Sequence, residues 1–269
     1  MMKYFFNAAL LCCFVITISM KIATSHNHAT APNETIADGY TTLVWSDEFN
    51  TAGPPDSSKW GYDIGNGSDG WGNQELEYYT SRPENVIVKD GYLKIIARKE
   101  NYNGMAYTSA RLLSKNKFSF TYGKVEISAK FPAAVGTWPA LWMLGSNIET
   151  VNWPACGEID IAEQRGSELN KIYGTLHYPG LPGSGNGSTK IIKDASAAFH
   201  KYTLEWSPAT IAISVDDAPY FTTENKGSLP FNHDFFFIFN IAMGGQFAGK
   251  VDPAFTADSM LVDYVRVYK

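Results

Sequence analysis

Cysteine is nearly missing from this 269-residue chain: there are three, and two of them, Cys12 and Cys13, sit inside an amino-terminal apolar run. That run, Ala8 to Met20, is too short to span a bilayer, which takes about 20 apolar residues. With Lys3 ahead of it and the small residues Ala23-Thr24-Ser25 behind it, residues 1–25 are expected to be a secretion signal peptide. Cleavage would leave Cys156 alone, so an intramolecular disulfide is excluded and stability has to come from a core. Cys156 precedes Gly157 in an apolar stretch, the setting of a buried structural thiol rather than a nucleophile. No membrane partner is expected once the signal is removed.

Positive charge is also in short supply. Lys and Arg number 22 against 27 Asp and Glu, and losing Lys3 and Lys21 with the signal moves the formal charge from −5 to −7. An acidic, secreted chain argues against nucleic acid as a partner. Helical periodicity is lacking too, with Asp194 to Phe199 the one notable stretch that reads as a helix. A two-residue period takes its place. Val125, Ile127, Ala129 and Phe131 alternate with Glu126, Ser128 and Lys130, the pattern of a half-buried strand. Similar runs recur at Val86 to Val88, Tyr92 to Arg98, Tyr202 to Trp206, Ile211 to Val215, Phe235 to Met243 and Met260 to Tyr268, punctuated by Gly and Pro. Residues 26–38, rich in Thr, Asn, Ala and His, are expected to be a flexible lead-in, and 39–269 one all-β domain. Many short strands without intervening helices predict a two-sheet sandwich, here a jelly roll with a concave substrate cleft. The Gly-rich segment Pro179 to Ser188 reads as a surface loop able to overhang that cleft.

What the chain does have is a dense group of acids. Glu158-Ile159-Asp160-Ile161-Ala162-Glu163 alternates acids with apolar residues, then breaks the alternation. On a regular strand Glu158 and Asp160 share a face and Glu163 points to the other. Either Glu163 is unrelated, or a β-bulge at Ile161-Ala162 inserts one residue and brings all three acids to one face, with Asp160 between the glutamates. Two glutamates so placed suit glycoside hydrolysis, in which one carboxylate attacks the anomeric carbon and a protonated one serves the leaving oxygen. Their backbones would stand about 13 Å apart along the strand, a gap that long side chains leaning together can largely close. Asp160 would couple the two titrations. A solvated strand face and a calcium site are the competing readings of such acids.

Tryptophan tips the balance. There are seven; Trp138 and Trp142 flank Pro139-Ala140-Leu141, Trp153 lies just before Glu158, and Trp71 opens Trp71-Gly72-Asn73. Aromatic faces dock the C–H faces of sugar rings, and Asn, Arg and indole N–H groups bond sugar hydroxyls, so several near the acids indicate a saccharide cleft.

The string from Trp153 to Glu163 resembles the active-site strand of glycoside hydrolase family 16, in its bulged laminarinase-type form. Leu43 to Phe49 is similar to that family's first strand, Trp71 to Thr80 to its glycan-contacting loop, and Thr108-Ser109-Ala110-Arg111-Leu112 to its arginine segment. Gly136 to Leu144 and Met260 to Tyr268 extend the match over nearly the whole chain after the signal. Two positions depart from the laminarinase pattern: Glu77 stands where Gln is frequent, and Gln246-Phe247-Ala248-Gly249 where Asn-Trp-Pro-Gly is frequent.

The resemblance implies a concanavalin-like β-jelly roll and a retaining endo-β-glucanase with no cofactor for catalysis. Glu158 would be the nucleophile, Glu163 the acid/base, and Asp160 the partner tuning the nucleophile. Asn73, Arg111, Trp138 and Trp142 would hold sugars on the non-reducing side of the cut, with Trp153 and His177 near the scissile bond. A structural calcium away from the cleft would use Asp263 with carbonyl oxygens of Glu48 and Gly91. The expected substrate is β-1,3-glucan such as laminarin, with mixed-linkage β-1,3-1,4-glucan as a further one, acted on by a monomer. The alternatives are an agarase- or carrageenase-like galactan hydrolase, a transglycosylase, or a non-catalytic β-glucan-binding protein.

Overall fold

β-branched and aromatic residues in two-residue alternation form strands because their side chains pack well on a pleated surface, and the computed structural model is built almost wholly from them. It describes residues 39–181 and 185–269. The segments expected to be signal peptide and lead-in, with Cys12 and Cys13, and residues 182–184 lie outside the described residues. In chain order the strands are β1 Leu43–Asp47, β2 Gly61–Asp63, β3 Glu77–Tyr79, β4 Val86–Lys89, β5 Tyr92–Tyr102 and β6 Met105–Ser109. They continue as β7 Arg111–Leu113, β8 Gly123–Lys130, β9 Thr137–Gly145, β10 Glu158–Gln164, β11 Lys171–His177 and β12 Asn186–Ile191. The last are β13 His200–Trp206, β14 Thr210–Val215, β15 Ala218–Glu224, β16 Phe235–Met243 and β17 Ala257–Tyr268.

These strands make two sheets, a β-jelly-roll sandwich. One has ten strands in the order β15-β14-β13-β8-β17-β5-β6-β3, with β1 on β17 and β4 on β5; the other has seven, β12-β11-β10-β9-β16-β7-β2. The core lies between them. Val125, Ile127, Leu93, Ile95 and Val265 from the larger sheet meet Leu141, Met143, Ile159, Phe237 and Phe239 from the smaller. Burying such side chains contributes about 1.5 to 3 kcal/mol each, which holds the described residues together; their one cysteine, Cys156, is free. Trp60 and Trp206 belong to this core, and Trp45 packs against it.

Three expectations change. Asp194 to Phe199 forms turns rather than a helix: six residues are too few to support an isolated helical nucleus, and Phe199 instead stacks on Tyr92. β8 is buried on both faces, not one. Its polar face is covered because Glu126 pairs with Lys124 at 3.3 Å and Lys201 reaches Glu126 at 3.8 Å from the neighbouring strand. Asn186, Gly187 and Ser188 belong to β12, where they pair with β11, so the loop is shorter than the glycine content predicts.

Candidate active site

The smaller sheet carries the acids on β10, between β9 and β11. Gly157 precedes them at φ +77°, and a Cβ there would come within 2.5 Å of the Pro230 carbonyl oxygen, so only glycine fits this entry. From Glu158 to Asp160 the register is regular: Glu158 faces His177 and Leu144, and Asp160 faces Thr175 and Trp142. The next matched pairs are Ala162 with Leu141 and Glu163 with Ala140 and Tyr173. β10 therefore spends three residues where its neighbours spend two. The inserted residue is the bulge the parity argument calls for, with Ile161 and Ala162 both packed in the core and Glu163 returned to the face of Glu158 and Asp160.

That face lines a cleft of about 670 Å³. Every expected catalytic or sugar-binding residue lines it: Glu158, Asp160, Glu163, Asn73, Arg111, Trp138, Trp142, Trp153 and His177. Trp71 joins them, so four of the seven tryptophans line the cleft and three pack in or against the core. Trp153 Nε1 donates to Glu158 Oε2 at 2.9 Å, and Trp138 Nε1 donates to Glu163 Oε1 at 2.7 Å. Each glutamate thus holds one indole N–H. His177 Nε2 stands 3.2 Å from Asp160 Oδ2 and 3.8 Å from Glu158 Oε1. Arg111 is sandwiched over the rings of Trp71 and Trp142, 4.6 and 4.9 Å from their centroids, and ion-paired with Asp63 at 3.0 Å.

Burial dominates the electrostatics. It pushes the Glu158 carboxyl up to about 8, with Asp160 adding to the shift and His177, the Trp153 N–H and Arg111 opposing it. Asp160 is raised well above its usual range by burial and by Glu163, against a hydrogen bond with Glu158. Glu163 is raised by burial to about 7; the Trp138 bond pulls it down while Glu158 pushes it up. Three acids so close cannot all be charged, and a negative charge on one keeps a proton on its neighbour. His177, the Trp153 N–H and Arg111 favour charge on Glu158, and the Trp138 N–H and His177 favour it on Glu163. Carboxyl and imidazole atoms of Glu158, Asp160 and His177 converge within 4.8 Å. Cys156 is fully buried, with its thiol pushed up to about 11, mainly by burial, as expected of a structural thiol.

Several lining residues are not evident from local sequence. Asn240 sits on β16 between Arg111 and Ala140 in register and accepts Trp142 Nε1 at 2.7 Å. Glu75 accepts Asn73 Nδ2 at 3.0 Å. At the other end, Phe247 packs on Trp138 and Tyr173, and Arg165 lies 4.7 Å over its ring. Phe247 was visible only as a departure from a pattern; Asn240 lies in a continuous apolar run whose pairing partners are far away in sequence.

The model of one family, glycosyl hydrolases family 16, matches residues 73–266. The chain belongs to this family. It is 45% identical over 244 residues to a beta-glucanase of Rhodothermus marinus, covering 84% of this chain and 85% of that one. It is 36% identical over 257 residues to the longer glucan endo-1,3-beta-glucosidase A1 of Niallia circulans, covering 84% of this chain and 38% of that protein. The solved catalytic domain of an endo-1,3-beta-glucanase (laminarinase) from Thermotoga petrophila RKU-1 superposes with a TM-score of 0.80 at 42% identity, covering 85% of this chain and 97% of that one. This family-16 chain is a glycoside hydrolase.

The residues expected to hold calcium lie in the larger sheet, apart from the cleft. Asp263 is the extra residue of a second bulge, between the pairs Val262–Ala129 and Tyr264–Ser128. There β17 changes neighbour: Val262 pairs with Leu93 of β5, and Val265 with Asp47 of β1. Gly91, just before β5, and Glu48, just after β1, therefore reach the level of Asp263. The Glu48 carboxylate is taken by Arg266 in two hydrogen bonds of 3.0 and 2.8 Å, which leaves main-chain oxygen as its contribution. One carboxylate with carbonyl oxygens is a donor set that fits a hard cation.

Proposed function

We propose that this enzyme is a secreted, retaining endo-β-1,3-glucanase that cleaves laminarin and, more slowly, mixed-linkage β-1,3-1,4-glucan. The observation that carries the reading is the bulge in β10, which brings Glu163 onto the face of Glu158. The names of its relatives favour glucan over galactan. Glu158 attacks the anomeric carbon as Glu163 protonates the departing glycosidic oxygen, forming a glycosyl ester and a shortened chain. Glu163, now a carboxylate, takes a proton from water, which attacks the same carbon and frees Glu158. Asp160 bonds Glu158 and, with His177, holds it for the attack. Two inversions at one carbon leave its configuration unchanged.

Asn73, Arg111 and Trp142 hold sugars on the non-reducing side; Trp138, expected with them, bonds Glu163 and so reaches the cut, where Trp153 bonds Glu158. Residues 1–25 direct export, residues 39–269 form the catalytic domain, and the enzyme acts as a monomer without a catalytic cofactor. A calcium held by Asp263, Glu48 and Gly91 would tie β1, β5 and β17 together and supply structure, not chemistry. Activity on laminarin, lichenan and agarose, measured side by side with products sized, tests the reading. Rapid shortening of laminarin is expected; turnover of agarose with laminarin untouched would overturn it.

A further inference from the structure

Beneath the cleft lies a second pair of carboxyl groups, one that the mechanism above does not use. Glu77 on β3 is 0% exposed. Its Oε2 accepts the main-chain N–H of Met243 at 2.6 Å, while its Oε1, equally shut off from solvent, meets no donor. What Glu77 does meet is another acid, since the Glu75 carboxyl is in hydrogen-bond contact with it. Glu75 is only 6% exposed. Both its oxygens already accept, Oε1 from Asn73 Nδ2 at 3.0 Å and Oε2 from the Tyr79 hydroxyl at 3.2 Å. Two buried carboxylates in contact repel strongly, and one proton between them turns the repulsion into a charge-assisted hydrogen bond. The surrounding donors decide where that proton sits. Two side-chain donors serve both oxygens of Glu75, while Glu77 has one main-chain donor on Oε2 and none on Oε1, so the shared proton sits on Glu77.

From Glu75 a hydrogen-bonded chain runs to the cleft. The Tyr79 hydroxyl accepts Asn240 Nδ2 at 3.0 Å, and Asn240 Oδ1 accepts Trp142 Nε1 at 2.7 Å. Asn73 hangs from the same carboxylate. One charge therefore anchors two residues assigned above to the sugar, and the proton on Glu77 stabilises that charge. Burial, then the Glu75 charge, hold the Glu77 proton well above the usual carboxylate range. The other titratable or charged groups facing the pair are Tyr79 and Arg111, and Glu163 feels the Glu75 charge across the cleft.

We propose that Glu77 and Glu75 form a proton-sharing carboxyl pair that positions Asn73 and Trp142 for the sugar on the non-reducing side of the cut. Loss of the shared proton loosens that hold. The proposal rests on the reading of the cleft as a β-glucan site, and Glu77 is a positioning residue, not a catalytic one. Because the folded chain keeps this proton above the ordinary carboxylate range, the stability it contributes is full at low pH and lost as pH rises towards the folded value. Glu77→Gln keeps the shape, offers Glu75 an amide donor at every pH and still accepts the Met243 N–H. Glu77→Leu offers neither.

The test is KM and kcat on laminarin, with Tm alongside, for the wild type and both variants from about pH 6 to about pH 9. Wild-type KM is expected to rise about five- to tenfold relative to that of Glu77→Gln across this range, the worth of one hydrogen bond. The Tm of Glu77→Gln should gain on the wild type by about 3 °C per pH unit where the folded chain still holds the proton that the unfolded chain has lost, and the gain should level off once the folded chain loses it too. Glu77→Leu should show a raised KM at all pH values, which Gln rescues. Parallel KM and Tm profiles for wild type and Glu77→Gln would overturn the proposal, as would a Leu variant that binds as well as the Gln one. Diverging Tm profiles with no hydrolysis of any β-glucan would support the pair and overturn the glucanase reading instead.

Discussion

At the scale of single residues, the site works by differences between similar groups. Glu158 and Glu163 are both glutamates on one strand face, each bonded to one indole N–H, and Glu158 also has His177 at 3.8 Å and a hydrogen bond with Asp160. Burial raises both carboxyls, Glu158 to about 8 and Glu163 to about 7, so the proposed roles rest on these contacts and on the family pattern, not on which acid ionises first. Glu158→Gln should lower kcat on laminarin by at least about a thousandfold while laminarin binding, measured by calorimetry, persists; unchanged turnover would refute the nucleophile assignment. The Trp138 hydrogen bond lowers the Glu163 pKa. Removing it in Trp138→Phe should therefore raise that value and move the alkaline limb of the kcat/KM profile to higher pH, whereas a limb moving down would contradict the acid/base role. The acids and cleft tryptophans were legible in the sequence because they sit in short strings with their own spacing. Asn240, Glu75 and Tyr79 were not, because their roles come from register between β16, β7 and the loop before β3, which local pattern does not encode.

At the scale of elements, the bulge in β10 decides whether there is an active site at all. One extra residue tucks Ile161 and Ala162 into the core and turns Glu163 to the cleft. Deleting Ala162 makes the spacing between Glu158 and Glu163 even, so a regular strand without a bulge keeps both on the cleft face, and hydrolysis should survive in the deletion variant, at a reduced rate. Inward rotation of Glu163 with complete loss of turnover in a folded deletion variant, with fold checked by circular dichroism, would contradict the parity account. Strand alternation was easy to read in β8 and β17, and the parity break at Glu163 predicted the bulge. Asp194 to Phe199 misled because a short apolar–polar pattern has no tertiary information, and here packing against Tyr92 won. β8 misled in the other direction, since an ion pair within the strand and one from β13 hide a polar face that alternation assigns to solvent.

At the scale of the whole molecule, the cleft weakens the fold that supports it. Glu158, Asp160, Glu163 and Glu77 all hold protons more tightly in the folded chain than free carboxyl groups do. A folded state that binds more protons loses stability as pH rises, here from about pH 4.5 to about pH 8, by up to about 1.4 kcal/mol per pH unit for each group that titrates. Thermal unfolding followed across that range should show Tm falling on the alkaline side, and Glu158→Gln should flatten the fall; a Tm that climbs from acid to neutral pH would contradict the burial of these acids as neutral groups. The large apolar core makes such a site tolerable, and chelation with EDTA should lower Tm without changing kcat if Asp263 holds calcium. The central claim is that the bulged face cleaves β-1,3-glucan internally through a glycosyl ester on Glu158, and proton NMR of fresh laminarin digests tests it most directly. The β-anomer should appear first, on products of intermediate length; initial release of the α-anomer would contradict the claim.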